Sequence, residues 1–149
     1  MLVRLFLALL LGALAAGALA QVNPALYEGS DRLDRLIAGA KKEGELSLYT
    51  SAQADDIGAV AKAFEQKYGV KVNMWRAGSE KVLQRAVTEA RGGRFTVDVI
   101  ETNGPEMEML HREQLAQRVN SPHLADLIPA AIRPHGEWVG TRLNVFALA

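Results

Sequence analysis

The chain has 149 residues, 49% of them hydrophobic, with 17 basic and 17 acidic side chains and no cysteine. That length suits one domain with a core of its own, and the even charge balance offers nothing to a nucleic acid or an anionic membrane surface. Without cysteine no disulfide can staple the fold.

Residues 1–20, MLVRLFLALLLGALAAGALA, carry a single charge, Arg4, then a Leu- and Ala-rich run that closes on Ala18-Leu19-Ala20. A basic start, an apolar middle and a small-x-small ending describe a secretory signal peptide, with cleavage expected after Ala20. The competing reading is a membrane anchor, which needs ~20 apolar residues to span. The small-residue ending and the polar QVNPALYEGSDR beyond it favour removal. No Cys follows the cleavage point to take a lipid, so residues 21–149 are expected as a soluble, periplasmic protein. Loss of the leader removes only Arg4, leaving 16 basic residues against the same 17 acidic ones.

Ser30 is the expected cap of a helix in which Leu33, Leu36, Ile37 and Ala40 recur at helical spacing, ending at Gly44. Leu46–Thr50 reads as the first strand. Ile57, Val60, Ala61, Phe64 and Tyr68 then share a helical face, with Gly69 as the stop. Val70–Trp75 alternates apolar and polar positions as a strand does. Ser79 is the expected cap of the next helix, whose stripe is Val82, Leu83, Ala86, Val87 and Ala90, with Gly92-Gly93 ending it. Phe95–Ile100 is the third expected strand. Asn103-Gly104-Pro105 opens a short helix carrying Met107 and Leu110, because proline is favoured where an N–H would go unpaired anyway. Pro122, Pro129 and Pro134 mark an irregular connection before two further expected strands, Trp138–Val139 and Leu143–Leu148.

This alternation predicts an α/β fold with a mostly parallel sheet flanked by helices. Such sheets place ligands outside the carboxyl ends of their strands. Three turns then share one rim: Ser51–Asp55, Arg76–Ser79 and Thr102–Gly104. The same Ser, Asp and Asn residues also suit plain helix capping. His111, His123 and His135 recur every twelve residues but match no metal-site spacing, so no metal site is expected from them. Ser51 and Ser79 could be nucleophiles of a secreted α/β hydrolase, although neither lies in a G-x-S-x-G elbow. Trp75 and Trp138 read as packing residues before ligand platforms, and Met107 and Met109 as ordinary helix residues.

The block LSLYTSAQADDIGAVAKAFEQKYGVKV, followed by WRAGSEKVLQRAVTEARGG and VDVIETNGPEMEML, resembles the N-terminal lobe of bacterial solute-binding proteins. The nearest type is the family 1, iron(III)-type group that serves ABC importers, and the element Phe64–Val72 (F-x-x-K-Y-G-V-K-V) is the most telling part. The resemblance runs from about Glu45 to the end of the chain. It implies a type II periplasmic-binding-protein-like lobe over residues 21–149, with a second lobe lacking. It further implies non-catalytic capture of a small-molecule or ion solute, of organic-anion or ferric type, in an interlobe cleft. Delivery is to an inner-membrane ABC permease, with a monomeric parent and no cofactor; ferric iron enters only as a transported cargo. Matched residue by residue, Ser51 and Gln53 occupy the first ligand loop, Arg76 and Ser79 the second, and Thr102 and Asn103 the third. Iron-binding relatives usually carry a His in the first loop near Gln53 and a Glu after the third strand near Asn103; at the matched positions this chain has Gln and Asn. Arg76 and the helix starts suit an anion, while acidic residues in the first turns (Asp55, Asp56, Glu80, Glu106) and Glu101 suit a cation stacked on Trp75. An inactive fragment is the remaining reading.

Overall fold

The computed structural model describes residues 23–143. The signal-peptide reading of residues 1–20 and the strand expected from Leu143 to Leu148 fall outside them, apart from Leu143, which is irregular and exposed. The elements are α1 (Arg32–Glu43), β1 (Glu45–Thr50), α2 (Ala54–Tyr68), β2 (Lys71–Arg76), α3 (Ser79–Arg91), β3 (Val99–Glu101) and α4 (Gly104–Arg112). Two 3-10 turns, Pro122–Asp126 and Pro129–Ala131, interrupt the irregular segment that follows.

The three strands form one parallel sheet in the order β2-β1-β3. β1 pairs with β2 from Glu45↔Lys71 to Thr50↔Arg76 and with β3 from Leu48↔Val99 to Thr50↔Glu101. Strand side chains alternate between faces. Leu46 and Leu48 therefore join Val72 and the α2 residues Ile57, Val60, Ala61 and Phe64 along an apolar groove of about 980 Å³. Tyr49 and its register partner Trp75 belong to the opposite face, their rings edge-on at 5.2 Å. There α3 supplies Arg85, whose guanidinium lies 4.4 Å from each ring centroid. Arg85 also pairs with Glu89 at 2.8 Å, and Glu89 accepts from the hydroxyls of Tyr49 and Thr96. Burial pushes the Glu89 carboxyl up, but the Arg85, Tyr49 and Thr96 hydrogen bonds outweigh it and hold the group below its ordinary value. Trp75 is thus engaged by Tyr49 and by a cation of the protein itself, as the packing reading of this residue anticipates.

Several sequence expectations shift in detail. The cap of α1 is Asp31 rather than Ser30, and that of α3 is Gly78, with Ser79 the first helical residue. β2 runs one residue later than expected: its ladder starts at Lys71, opposite Glu45 where β1 begins, and Val70 is buried ahead of it. The third strand keeps only Val99–Glu101. Upstream, the Ser47 N–H is taken by the Asp98 carboxylate at 2.7 Å, Thr96 is tied to Glu89, and Phe95 is 79% exposed. A side chain thereby does the work of a longer ladder. Trp138–Val139 is not a strand either: Val139 makes an isolated antiparallel bridge to Ile132. Gly44 and Gly69 end their helices as expected, both in the left-handed conformation that favours glycine.

Candidate functional site

The carboxyl ends of β1, β2 and β3 emerge side by side, so the turns that follow them meet. Thr50, the last residue of β1, is fully buried. Its hydroxyl donates to Glu101 Oε2 at 2.5 Å and accepts from the Ala52 N–H at 3.0 Å. That N–H also reaches Glu101 Oε2 at 3.1 Å, and the Ser51 N–H donates to the Glu101 carbonyl at 3.0 Å. Arg142 closes the set by pairing with Glu101 Oε1 at 3.0 Å. Glu101 is therefore committed to holding the first and third turns together and is not a spare carboxylate for a cation. Sequence reading noticed Glu101 as a nearby charge and missed this role. A buried Thr at a strand end facing an acid at the neighbouring strand end was the available signal.

Four of the six predicted rim residues are hydrogen-bonded to one another in two pairs, and a fifth is tied to the backbone of the first turn. The Ser51 hydroxyl donates to Thr102 Oγ1 at 3.2 Å, and Asn103 Nδ2 donates to Ser79 Oγ at 2.7 Å. Arg76 donates from Nε to the Ala52 carbonyl at 2.5 Å, fastening the second turn to the first. Gln53 stands apart, exposed at the start of α2. The caps of α2, α3 and α4 (Gln53, Gly78 and Asn103) all have extended backbones, and none makes a side-chain capping bond. Three helix starts thus present first-turn N–H groups and the positive end of the helix dipole on one rim, without a cap side chain to answer them. Arg76 adds a planar cation suited to a carboxylate or phosphate. Glu80 and Glu106 oppose part of this field from the first turns of α3 and α4, as do Asp55 and Asp56 in α2.

The rim shows no hydrolytic arrangement. Among the described residues the hydrogen-bond partners of the Ser51 and Ser79 hydroxyls are Thr102 and Asn103, and neither serine has a base to take its proton. The apolar groove borders Thr102 and Asn103 but excludes Ser51, Gln53, Arg76 and Ser79. The polar turns and the apolar groove are thus separate surfaces that meet at Thr102 and Asn103. No described helix is long and apolar enough to cross a membrane.

No family model matches the chain. Solved structures do. Iron-bound HitA from Pseudomonas aeruginosa superposes with a TM-score of 0.60 at 29% identity, over 64% of this chain and 31% of that one. The Trichodesmium protein IdiA (FutA), in complex with iron and citrate ligands, gives 0.57 at 26% identity over 65% and 31%. The ferric binding protein from Campylobacter jejuni gives 0.54 at 25% identity over 62% and 29%. Over the matched part the fold is that of the iron(III)-type periplasmic solute-binding proteins. The chain spans about a third of the length of the structures it matches, and their likeness gives no support to the hydrolase reading.

Proposed function

We propose that the lobe is part of the extracytoplasmic solute-binding component of an ABC importer, and that its rim holds the carboxylate of a small organic anion. It performs capture without catalysis. The carrying observation is the convergence of three helix starts without capping side chains on hydroxyl and amide groups, with Arg76 beside them. None of Ser51, Gln53, Arg76, Ser79, Thr102 and Asn103 carries a negative charge. A hard, highly charged cation prefers oxygen ligands such as carboxylates, so the rim suits the counter-anion better than the metal. In this reading residues 1–20 direct export, the mature chain works in the periplasm, and the partner is an inner-membrane permease.

Ferric iron carried with its anion is the second reading. It is favoured by the iron and citrate of the Trichodesmium structure and by Glu106, whose Oε2 is buried without a hydrogen-bond partner in the first turn of α4. The test is an NMR titration of the full chain with citrate, ferric citrate and a polyamine. Citrate is expected to shift the amides of Ser51–Gln53, Gly78–Glu80 and Thr102–Glu106. A charge-assisted hydrogen bond contributes roughly 1.5–3 kcal/mol, so Arg76→Ala should weaken citrate by about 10- to 150-fold. Tighter binding of ferric citrate than of citrate selects the second reading. Shifts confined to other residues, a preference for the polyamine, or indifference to Arg76→Ala would refute the anion rim.

A further inference from the structure

Away from the rim, the last turn of α4 and the loop from Arg133 to Trp138 bring together side chains that the sequence separates. The donor atoms of His111, His135 and Glu137 lie within 4.8 Å of one another. Glu137 faces Nδ1 of both rings: its Oε2 is 2.6 Å from His111 Nδ1, and its backbone N–H donates to His135 Nδ1 at 3.1 Å. That second bond needs a lone pair on His135 Nδ1, so in the neutral ring the proton resides on Nε2. His135 Nε2 faces Glu108 Oε2 at 3.7 Å, and both atoms are buried without a hydrogen-bond partner. Glu108 and His111 are three residues apart on α4, a spacing that puts both on one helix face.

We infer that His111, His135 and Glu137 form a binding site for a divalent transition-metal ion of the zinc class. His111 Nδ1, His135 Nδ1 and the Glu137 carboxylate are the ligands. Two imidazoles and one carboxylate suit zinc, nickel or copper rather than the oxygen-preferring magnesium or calcium. Glu108 supplies the outer carboxylate that receives the His135 Nε2 proton, the usual partner of a metal-bound histidine. The rings are stacked at 3.9 Å with 13° between their planes, so their lone pairs run alongside one another. Loading must tilt one ring out of the stack, release the bond from the Glu137 N–H, and displace the proton shared by His111 Nδ1 and Glu137 Oε2, leaving the neutral His111 ring protonated on Nε2. The two side chains are 29% and 18% exposed, which leaves an entry path and room for that movement. The ion would clip the irregular segment after α4 onto the helix in a chain that has no cysteine for a disulfide.

Trp138 makes the site observable, since its ring centroid is 6.1 Å from that of His135. The experiment titrates zinc by calorimetry, and copper by tryptophan quenching, into the full chain carrying Trp75→Phe. Saturable 1:1 zinc binding and quenching of Trp138 are expected. Glu108→Gln should weaken zinc by about 10- to 100-fold, as loss of an outer-shell partner does. The double variant His111→Ala, His135→Ala should abolish binding. His123→Ala, at a histidine whose side chain is 86% exposed, should leave binding unchanged. Far-UV circular dichroism checks that each variant is folded, and Glu137→Gln gives an independent removal of a ligand if the double variant is not. Absence of saturable binding, or binding that survives in a folded double variant or in Glu137→Gln, overturns the assignment.

Discussion

Replacing Thr50 by Val keeps the shape of a fully buried side chain and deletes its hydroxyl. The hydroxyl bridges the first and third turns by donating to Glu101 Oε2 at 2.5 Å. The Ala52 N–H loses one of its two acceptors but keeps Glu101 Oε2 at 3.1 Å, so no backbone donor is stranded. The cost is therefore that of one hydrogen bond to a charged group, roughly 1.5–3 kcal/mol. At about 4 °C per kcal/mol for a domain of this size, Tm should fall by about 6–12 °C. Thr50→Ser keeps the bond and loses one methyl, about 1 kcal/mol, so it must be the milder change. Urea unfolding followed by circular dichroism measures both. A Val variant within about 0.5 kcal/mol of wild type, or one more stable than Ser, would show that the Thr50–Glu101 bond does not hold the turns together.

Leu110, 1% exposed on α4, should lose about 2–5 kcal/mol on truncation to Ala, read as a shift in urea midpoint at constant slope. Gly58 lies inside α2 with open space around its Cβ position, so Gly58→Ala should stabilise by roughly 0.5–1 kcal/mol. Gly69→Ala, at φ +70°, should destabilise by about 1–2 kcal/mol; like signs for the two would contradict the backbone assignment. Asp31 is held low by hydrogen bonds from Tyr27 and Arg35, and Glu89 by those from Arg85, Tyr49 and Thr96 against its burial. A depressed carboxylate contributes stability that is complete above its unfolded value and is lost as pH falls through its folded one. Unfolding midpoints should thus hold from neutral pH down to about 5 and decline below about 4, and Glu89→Gln should decline less steeply. An equal acid slope in that variant would remove Glu89 as a cause.

What could be read from the sequence was whatever depends on neighbours along the chain. The helical spacing from Ile57 to Tyr68 with Gly69 behind it, and the strand-helix alternation that makes a parallel sheet, both depend on local sequence, and both are present. The convergence of Ser51, Arg76, Ser79, Thr102 and Asn103 followed from that topology rather than from any motif. The misreadings arise where one distant partner decides the outcome. Phe95–Val97 alternates like a strand, yet the Asp98 carboxylate caps the Ser47 N–H and the ladder stops. Trp75, read as packing before platform, owes its partners to distant chain: Tyr49 beside it and Arg85 from α3. His111 and His135 are joined only by the loop that returns to α4, a contact that no spacing rule encodes.

The unequal pairing of the sheet carries a consequence for solute affinity. β1 is hydrogen-bonded on both sides, β2 holds it over six register pairs, and β3 over three. Opening β3 alone breaks fewer ladder bonds than opening β2, so the Thr102–Asn103 turn depends more on the side-chain bonds of Glu101 and Asp98 than on the ladder. In the proposed reading, a solute that bridges Ser51 and Thr102 draws on the population in which β3 is closed, and by binding it enlarges that population. Amide exchange should then slow on binding at Val99–Glu101 far more than at Lys71–Arg76. On the anion-rim proposal, affinity would in this sense be partly a measure of how often the third strand is in place.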